Sequence, residues 1–452
     1  MNSMRNALFA DLYGFTMSAC YFENRMFAPA AFSLYIRKYG PHRSYYVSAG
    51  LEEVVEFLES FRFAPEEIDY LQSTGLFSTD FLNYLESLRF TGEVFAIPEG
   101  RLFFKDEPIL EITAPVIEAQ LIESFVINAI NLQVSIASKA ARCIHAAGGK
   151  NLVDFSLRRT QGTDAGMKVA RASYIAGFKG TSNVLAGMAY GIPIAGTMAH
   201  SFVLSFEEEI EAFRAFARTF PDRTVLLIDT YDTVTGAKKA AEVGREMAKR
   251  GERLKGVRLD SGDITQLSKE VRGILDEAGL KEVIIFASGG FDEYEIEEAL
   301  SKGARIDAFG VGTKMGVSAD APYNDIAYKL VEYDGRPVLK LSRAKKTLVN
   351  QKQVFREVSG GKMSGDTIGR RAESLPGEPL LECVMRGGKR QVSPQTLETI
   401  RERFLSEFSS LGDEHKAIKS PKDYPVRLSP MLEAAQSRTV REVRKRELGE
   451  SS

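Results

Sequence analysis

The sequence predicts an α/β chain in which an irregular parallel β/α barrel is preceded by an N-terminal α+β domain and followed by a smaller C-terminal domain. Two observations carry this expectation. Short apolar runs, NLVDFSL, IPIAGTM, TVLLID, GVRLD, VIIFAS and IDAFGV, alternate with segments of helical period, which is the rhythm of parallel sheets. These runs exit into polar or glycine-rich loops, RRTQGT, AHS, DTYDT, DSGD, SGG and GVGTK. In a barrel such loops share one face, the face on which active sites are built. An open doubly wound sheet would gather fewer of them, so the barrel is favoured.

The elements follow in order. A helix is expected over 8–22, then a half-buried strand in FSLYIRK, where Phe32, Leu34 and Ile36 form the apolar alternation. Turn clusters IPEG and KDEP break the β-rich stretch over 93–115, closing an N-terminal domain at 1–118. One long helix should fill 119–147 and stop at Gly148-Gly149. Helices over 206–220, 235–250, 265–278 and 292–301 separate the later strands of a barrel domain at 119–345. The rhythm then dissolves into turn-rich segments such as VSGGKMSGD and MRGGKRQVSP, giving a C-terminal domain at 346–452 that ends in a charged helix.

Composition narrows the function classes. With 59 Lys and Arg against 61 Asp and Glu, the formal charge is -2, so no global positive field exists for nonspecific nucleic-acid binding. Cys20, Cys143 and Cys383 are the three cysteines and form no C-x-x-C pair, which argues against a disulfide scaffold or a thiolate zinc site and suits a reducing cytoplasm. The amino-terminal stretch MNSMRNALFADLYGF lacks a basic segment followed by a long apolar one, so no export signal is expected from it, and no apolar run is long enough to span a membrane.

Four histidines are present: His42, His145, His200 and His415. His200 stands apart because it closes GIPIAGTMAH at an expected strand end; for a lone histidine the structural and functional readings there are evenly balanced. Asp229 and Asp260 also close runs, and carboxylates at a barrel mouth accept hydrogen bonds from sugar hydroxyls or hold Mg²⁺ through water. Asp232 and Asp263 are better read as a turn residue and a helix cap. Two glycine loops, Ser288-Gly289-Gly290 and Gly310 to Thr313 with Gly312 between them, let backbone N–H groups approach an anion. Arg158 and Arg159 add fixed positive charge at another strand end, suited to carboxylate or phosphate.

Six stretches, DLYGFTMSACYF, DFSLRRTQGTDAG, GFKGTSNVLAGMAYGIPIAGTMAHSF, LLIDTYDT, GVRLDSGD and FGVGTK, together resemble the nicotinate phosphoribosyltransferases, over roughly residues 8 to 350. The resemblance implies that nicotinate is joined to 5-phosphoribosyl 1-diphosphate, with ATP as co-substrate and Mg²⁺ accompanying the diphosphate. It implies that ATP phosphorylates His200, that Thr197 lies at the nicotinate site, and that Arg158 and Arg258 face the substrates. It further implies that Asp260 takes the ribose hydroxyls and that Gly289, Gly290, Gly312 and Thr313 belong to a phosphate cradle. Phe155 would stack on one side of the pyridine and Tyr13 of a partner subunit on the other, making a homodimer with a shared site. Ser182 and Asn183 stand where nicotinamide enzymes of the superfamily place an Asp; neutral donors beside Arg tolerate a carboxylate that Asp would repel. Nicotinamide and quinolinate are the alternative pyridines. The departures are Gly14, where Gln is usual, and DFS in place of the commoner EFG, which puts Ser156 near the ring pocket.

Overall fold

A computed structural model describes residues 7–341 and 347–449, and the chain divides into two compact units, Ile136–Pro322 and Met1–Ser135 with Tyr323–Ser452. The Ile136–Pro322 unit is built on six parallel strands in the order Gly180–Thr181, Asn151–Asp154, Ala308–Val311, Ile284–Ala287, Gly256–Leu259 and Val225–Leu227. A single parallel bridge, Thr181 to Ile194, extends the first edge. Among the described residues no ladder joins this edge to Val225–Leu227. The sheet is thus a curled half-barrel, an irregular form of the expected architecture. Its strands are short and most of their apolar side chains, Leu226, Val257, Ile285 and Phe309 among them, are fully buried, as parallel strands covered on both faces require.

The later helices lie where helical period places them: Glu209–Thr219, Thr233–Lys249, Ile264–Glu277 and Glu293–Ser301. Their starts have an identifiable cause. Asp232 accepts the Thr235 N–H at 2.8 Å and Asp263 accepts the Gln266 N–H at 3.1 Å, each satisfying an amide that the first turn leaves free. Asp263 therefore has the capping role read from the sequence, and Asp232, read there as a turn residue, is a helix cap as well.

Three elements differ from expectation. The run IPIAGTM forms no named strand; Pro193 has no N–H to donate, and its pairing reduces to Thr181 N–H to Pro193 O and Ala195 N–H to Thr181 O, both 3.0 Å. A strand instead occurs at Gly180–Thr181. The long helix is two, Val116–Leu121 and Glu123–Ala146, interrupted at Ile122.

The other unit draws on both ends of the chain. Its seven-stranded sheet places Ile326–Tyr333 antiparallel to Pro29–Ile36, and Glu382–Arg386 antiparallel to Glu93–Ala96. Residues 119–135 and 323–341, expected with the barrel, thereby share this unit by contact, and so do the C-terminal strands. A four-stranded sheet of Glu378–Pro379, Lys352–Ser359, Lys362–Arg370 and Val426–Leu428 completes its β structure beside a two-stranded ladder. Buried ion pairs tie the distant segments: Glu111 meets Lys352 at 3.0 Å and Arg371 at 2.6 Å. The expected terminal helix is Pro430–Leu448. The boundary expected at 345/346 and the first six residues lie outside the described residues.

Candidate active site

Arg258, on strand Gly256–Leu259, organises the loop face of the half-barrel unit. Its Nη2 donates to Asp260 Oδ1 at 2.7 Å and its Nε to Ser288 Oγ at 2.8 Å. Its Nη1 donates to Thr197 Oγ1 and to the Met198 carbonyl, both at 3.2 Å. One rigid guanidinium fork thus joins the ends of three β/α segments, a task suited to arginine's several fixed donors.

Asp260 is the second hub. The Ser288 hydroxyl donates to it, and its own backbone N–H donates to Asp229 Oδ2 at 2.9 Å. Ser261 Oγ donates to the same Asp229 oxygen at 2.6 Å, whereas Asp229 Oδ1 is buried with no hydrogen-bond partner among the described residues. Burial pushes the Asp260 carboxyl upward, but hydrogen bonds from Ser288 and Arg258 and the nearby Arg258 and His200 charges more than reverse this. Its pKa falls below the ordinary value, so it is a carboxylate at neutral pH.

His200 opens the short helix His200–Leu204. Its Nδ1 lies 3.2 Å from Thr230 Oγ1, and its Nε2 lies 4.0 Å from Asp260 Oδ2. The imidazole is 39% exposed, oriented on one side yet open to a ligand. Phe155 follows strand Asn151–Asp154; the Arg258 guanidinium stands 5.4 Å from its ring centre and the Phe286 ring 5.5 Å away. The first is a cation–π contact. Gly310 and Gly312 make room for this aromatic: a Cβ on Gly310 would stand 2.6 Å from the Phe155 ring, and one on Gly312 3.1 Å from the Phe155 carbonyl oxygen.

His200, Asp260, Asp229, Thr197, Arg258, Phe155, Ser288 and Gly310 are therefore linked by direct contacts. Gly289 and Gly290 follow Ser288 and are exposed, as is Thr313 after Gly312. Ser182 is half-buried, its N–H on the Asp154 carbonyl at 2.8 Å. Arg158 and Arg159 project from the exposed turn Leu157–Arg159 and stand outside the Arg258 hydrogen-bond group. Tyr13 belongs to the other unit, exposed on helix Leu12–Glu23. Asn183 differs from expectation: its Oδ1 caps helix Val184–Tyr190 through the Ala186 N–H at 3.1 Å, and its Nδ2 donates to the Gly166 carbonyl at 3.2 Å. Those bonds occupy its amide and leave Ser182 as the available neutral donor of the pair.

Sequence reasoning passed over Asp154 and Thr230. Asp154 is buried and accepts from the Ser156 N–H at 2.9 Å, Ser156 Oγ at 2.6 Å and Thr181 Oγ1 at 2.8 Å, fixing the backbone that bears Phe155. Its place at a strand end was the available signal. Also unforeseen is a cavity of about 340 Å³ beside Thr197 and Met198, walled by Phe202, Phe206, Phe216 and Phe220. The other unit has its own cavity of about 290 Å³ whose lining includes Arg37, Lys329 and Lys340.

Comparison with known proteins shows the family of the chain. Three family models match in succession: the nicotinate phosphoribosyltransferase N-terminal domain over residues 8–131, the nicotinate phosphoribosyltransferase family over 150–360 and its C-terminal domain over 370–436. The chain belongs to the nicotinate phosphoribosyltransferase family. Among family members, the Mycobacterium tuberculosis nicotinate phosphoribosyltransferase pncB2 is 49% identical over 429 residues, 94% of this chain and 92% of that protein. The Bacillus subtilis nicotinate phosphoribosyltransferase is 36% identical, covering 97% of this chain and 96% of its own. The crystal structure of human nicotinic acid phosphoribosyltransferase superposes with a TM-score of 0.84 at 28% identity, over 95% of this chain and 99% of that one.

Proposed function

We propose that this chain joins nicotinate to 5-phosphoribosyl 1-diphosphate, giving nicotinate mononucleotide and diphosphate for NAD salvage. Membership of the family, with close relatives over nearly the whole chain, supports the reaction. The single observation that carries the chemistry is the group formed by Arg258 on strand Gly256–Leu259, Asp260 just after it and His200 at the start of its short helix. The pyridine nitrogen attacks the anomeric carbon with its own lone pair, the C–O bond to diphosphate breaks, and the leaving oxygen takes that bond's electrons. No proton moves. Asp260 presents negative charge to the positive charge that develops on the sugar, and Phe155 offers a flat face to the ring. Mg²⁺ arriving with the diphosphate would be met by Asp229, whose buried Oδ1 has no hydrogen-bond partner among the described residues, and would offset the leaving-group charge.

ATP coupling through phosphorylation of His200 is part of the same proposal. The partly exposed ring, held by Thr230 at Nδ1, supports it. A homodimer sharing its sites through Tyr13 is supported by the exposed apolar side chains Leu12 and Met17 on the same helix. Although the Tyr13 side chain is exposed overall, partial burial of its hydroxyl and the nearby Glu123 push that hydroxyl up to about 12, and it stays neutral beside a bound ring. Three free cysteines are consistent with a cytoplasmic setting, and no described helix is long and apolar enough to cross a membrane.

Diphosphate release with nicotinate, nicotinamide or quinolinate, with and without ATP, tests the proposal. Nicotinate is expected to be preferred, with a stimulation by ATP that disappears in His200→Ala. Preference for another pyridine would overturn the substrate, and stimulation surviving in His200→Ala would overturn the phosphohistidine. A second expectation concerns the ring pocket. Gly310→Ala would drive a methyl to within 2.7 Å of two Phe155 ring carbons and 2.9 Å of Phe286; overpacking of this kind costs about 1–3 kcal/mol. The KM for nicotinate should rise while that for 5-phosphoribosyl 1-diphosphate stays near wild type. An unchanged nicotinate KM would remove Phe155 from the pyridine site.

A further inference from the structure

Behind the two glycine loops of the half-barrel unit lies a cluster of charge that the proposed chemistry does not use. Lys139, near the end of helix Glu123–Ala146, is fully buried. Its Nζ lies 2.6 Å from Glu293 Oε2, 3.0 Å from Asp320 Oδ1 and 3.4 Å from Asp292 Oδ2. Arg142, one helical turn on, donates to Glu293 at 2.8 Å. Lys314 pairs with Glu295 and stands 3.9 Å from Asp292.

The placement of these acids is informative. Asp292 follows the Ser288-Gly289-Gly290 loop by two residues and caps helix Glu293–Ser301, accepting the Tyr294 N–H at 2.9 Å. Asp320 follows the turn at Gly312 and Thr313, beyond helix Thr313–Gly316. Lys139 is thus one cation bonded to the chain leaving both loops. Arg142 offsets Glu293 and Lys314 offsets Glu295, so Lys139 chiefly compensates Asp292 and Asp320, whose negative charge would otherwise stand beside loops meant to hold phosphate and repel an anion that the free N–H groups of a helix start attract. Desolvation would discharge a lone buried lysine, but Glu293 and Asp320 more than reverse that effect and keep Lys139 cationic.

We propose that Lys139 is a positioning residue for the phosphate-binding loops: bonded to Asp292 and Asp320, it fixes the spacing of the two loops and neutralises the carboxylates next to them. It rests on the reading of these loops as the site for the phosphates of 5-phosphoribosyl 1-diphosphate. Lys139 touches no substrate; it acts through the loop ends it holds.

The test is steady-state kinetics of the full chain carrying Lys139→Met, Lys139→Arg or Lys314→Met, with thermal melting in parallel. In Lys139→Met the KM for 5-phosphoribosyl 1-diphosphate should rise about tenfold, the lower end of what loss of a supporting contact costs a site, with kcat and the nicotinate KM nearly unchanged. Lys139→Arg should recover part of the loss. Lys314→Met, at a side chain 40% exposed, should fold normally and raise the same KM by less, and it decides the matter if Lys139→Met does not fold. A purely structural role would lower the melting temperature and the active fraction but leave both KM values in place. That result in an active enzyme overturns the inference alone. Wild-type protein that releases no diphosphate with any pyridine overturns the reading of the loops, and the inference with it.

Discussion

Asp260→Asn is expected to lower kcat/KM for nucleotide formation by about 10²- to 10³-fold, or about 2.7–4 kcal/mol of transition-state stabilisation, with melting little changed. The substitution preserves shape. An amide oxygen at Oδ1 can still accept from Arg258 Nη2, now 2.7 Å away, and from the Ser288 hydroxyl, and the backbone N–H still reaches Asp229. What disappears is a unit of negative charge between Arg258 and His200. A sugar carbon losing diphosphate becomes cationic, and a fixed carboxylate with its neighbours already in place stabilises that state without reorganisation. Freed of its ion pair, Arg258 would also hold Thr197 and Ser288 less firmly. The measurement is initial-rate kinetics with far-UV circular dichroism as a check of folding. Activity within about threefold of wild type, a change below 1 kcal/mol, would show that Asp260 serves the architecture of the loop face rather than the reaction.

Much of this centre was legible because local sequence dictates it. An apolar run that stops at an acid or a histidine reads as a strand end, which is how Asp229, Asp260 and His200 came to notice, although the run before His200 forms no named strand. The hydrogen bond from the Asp260 N–H to Asp229 and the 4.0 Å approach of His200 Nε2 to Asp260 Oδ2 bring the three together. The cap Asp263 was legible for the same reason, since capping is a matter of three or four consecutive residues; Asp232 was read as a turn residue, and the helix it caps through the Thr235 N–H went unread. What escaped was non-local. A two-residue strand such as Gly180–Thr181 has no period to read. The antiparallel pairing of Ile326–Tyr333 with Pro29–Ile36 joins segments far apart in the chain, and no local pattern specifies the partner of an apolar strand. It is this pairing that gathers residues on either side of the half-barrel into one unit. The Arg258 fork was equally hidden: the family resemblance implied only that it faces the substrates, whereas its geometry shows it bonded to Asp260, Ser288 and Thr197. Asn183 looked like a donor for a ligand because sequence shows the amide but not the helix that it caps. Asp154, by contrast, was readable by the rule that found Asp229, as the last residue of its strand.

Gly289→Ala should be the more damaging of two neighbouring substitutions, and the comparison isolates the cause. Gly289 has φ +92° and Gly290 φ +81°, so each puts an L side chain in the left-handed region, a cost of about 1–2 kcal/mol. A Cβ on Gly290 would meet nothing within 4 Å, whereas on Gly289 it would lie 2.0 Å from the Asp260 carbonyl oxygen and 2.9 Å from its carbon. Backbone cannot rotate aside as a flexible side chain does, and the residue it strikes is held at its own N–H by Asp229 and at its carboxylate by Arg258. Relief must come from moving the Ser288–Gly290 loop or the Asp260 strand end, which displaces the proposed phosphate loop or the proposed sugar site. Adding about 1–3 kcal/mol for overpacking gives about 2–5 kcal/mol of destabilisation for Gly289→Ala, against about 1–2 for Gly290→Ala. Chemical denaturation should show this gap, and kinetics should show the larger rise in KM for 5-phosphoribosyl 1-diphosphate in Gly289→Ala. Equal effects at the two positions would mean that backbone conformation alone demands glycine here, and that the close approach of the loop to Asp260 does not bear on substrate binding.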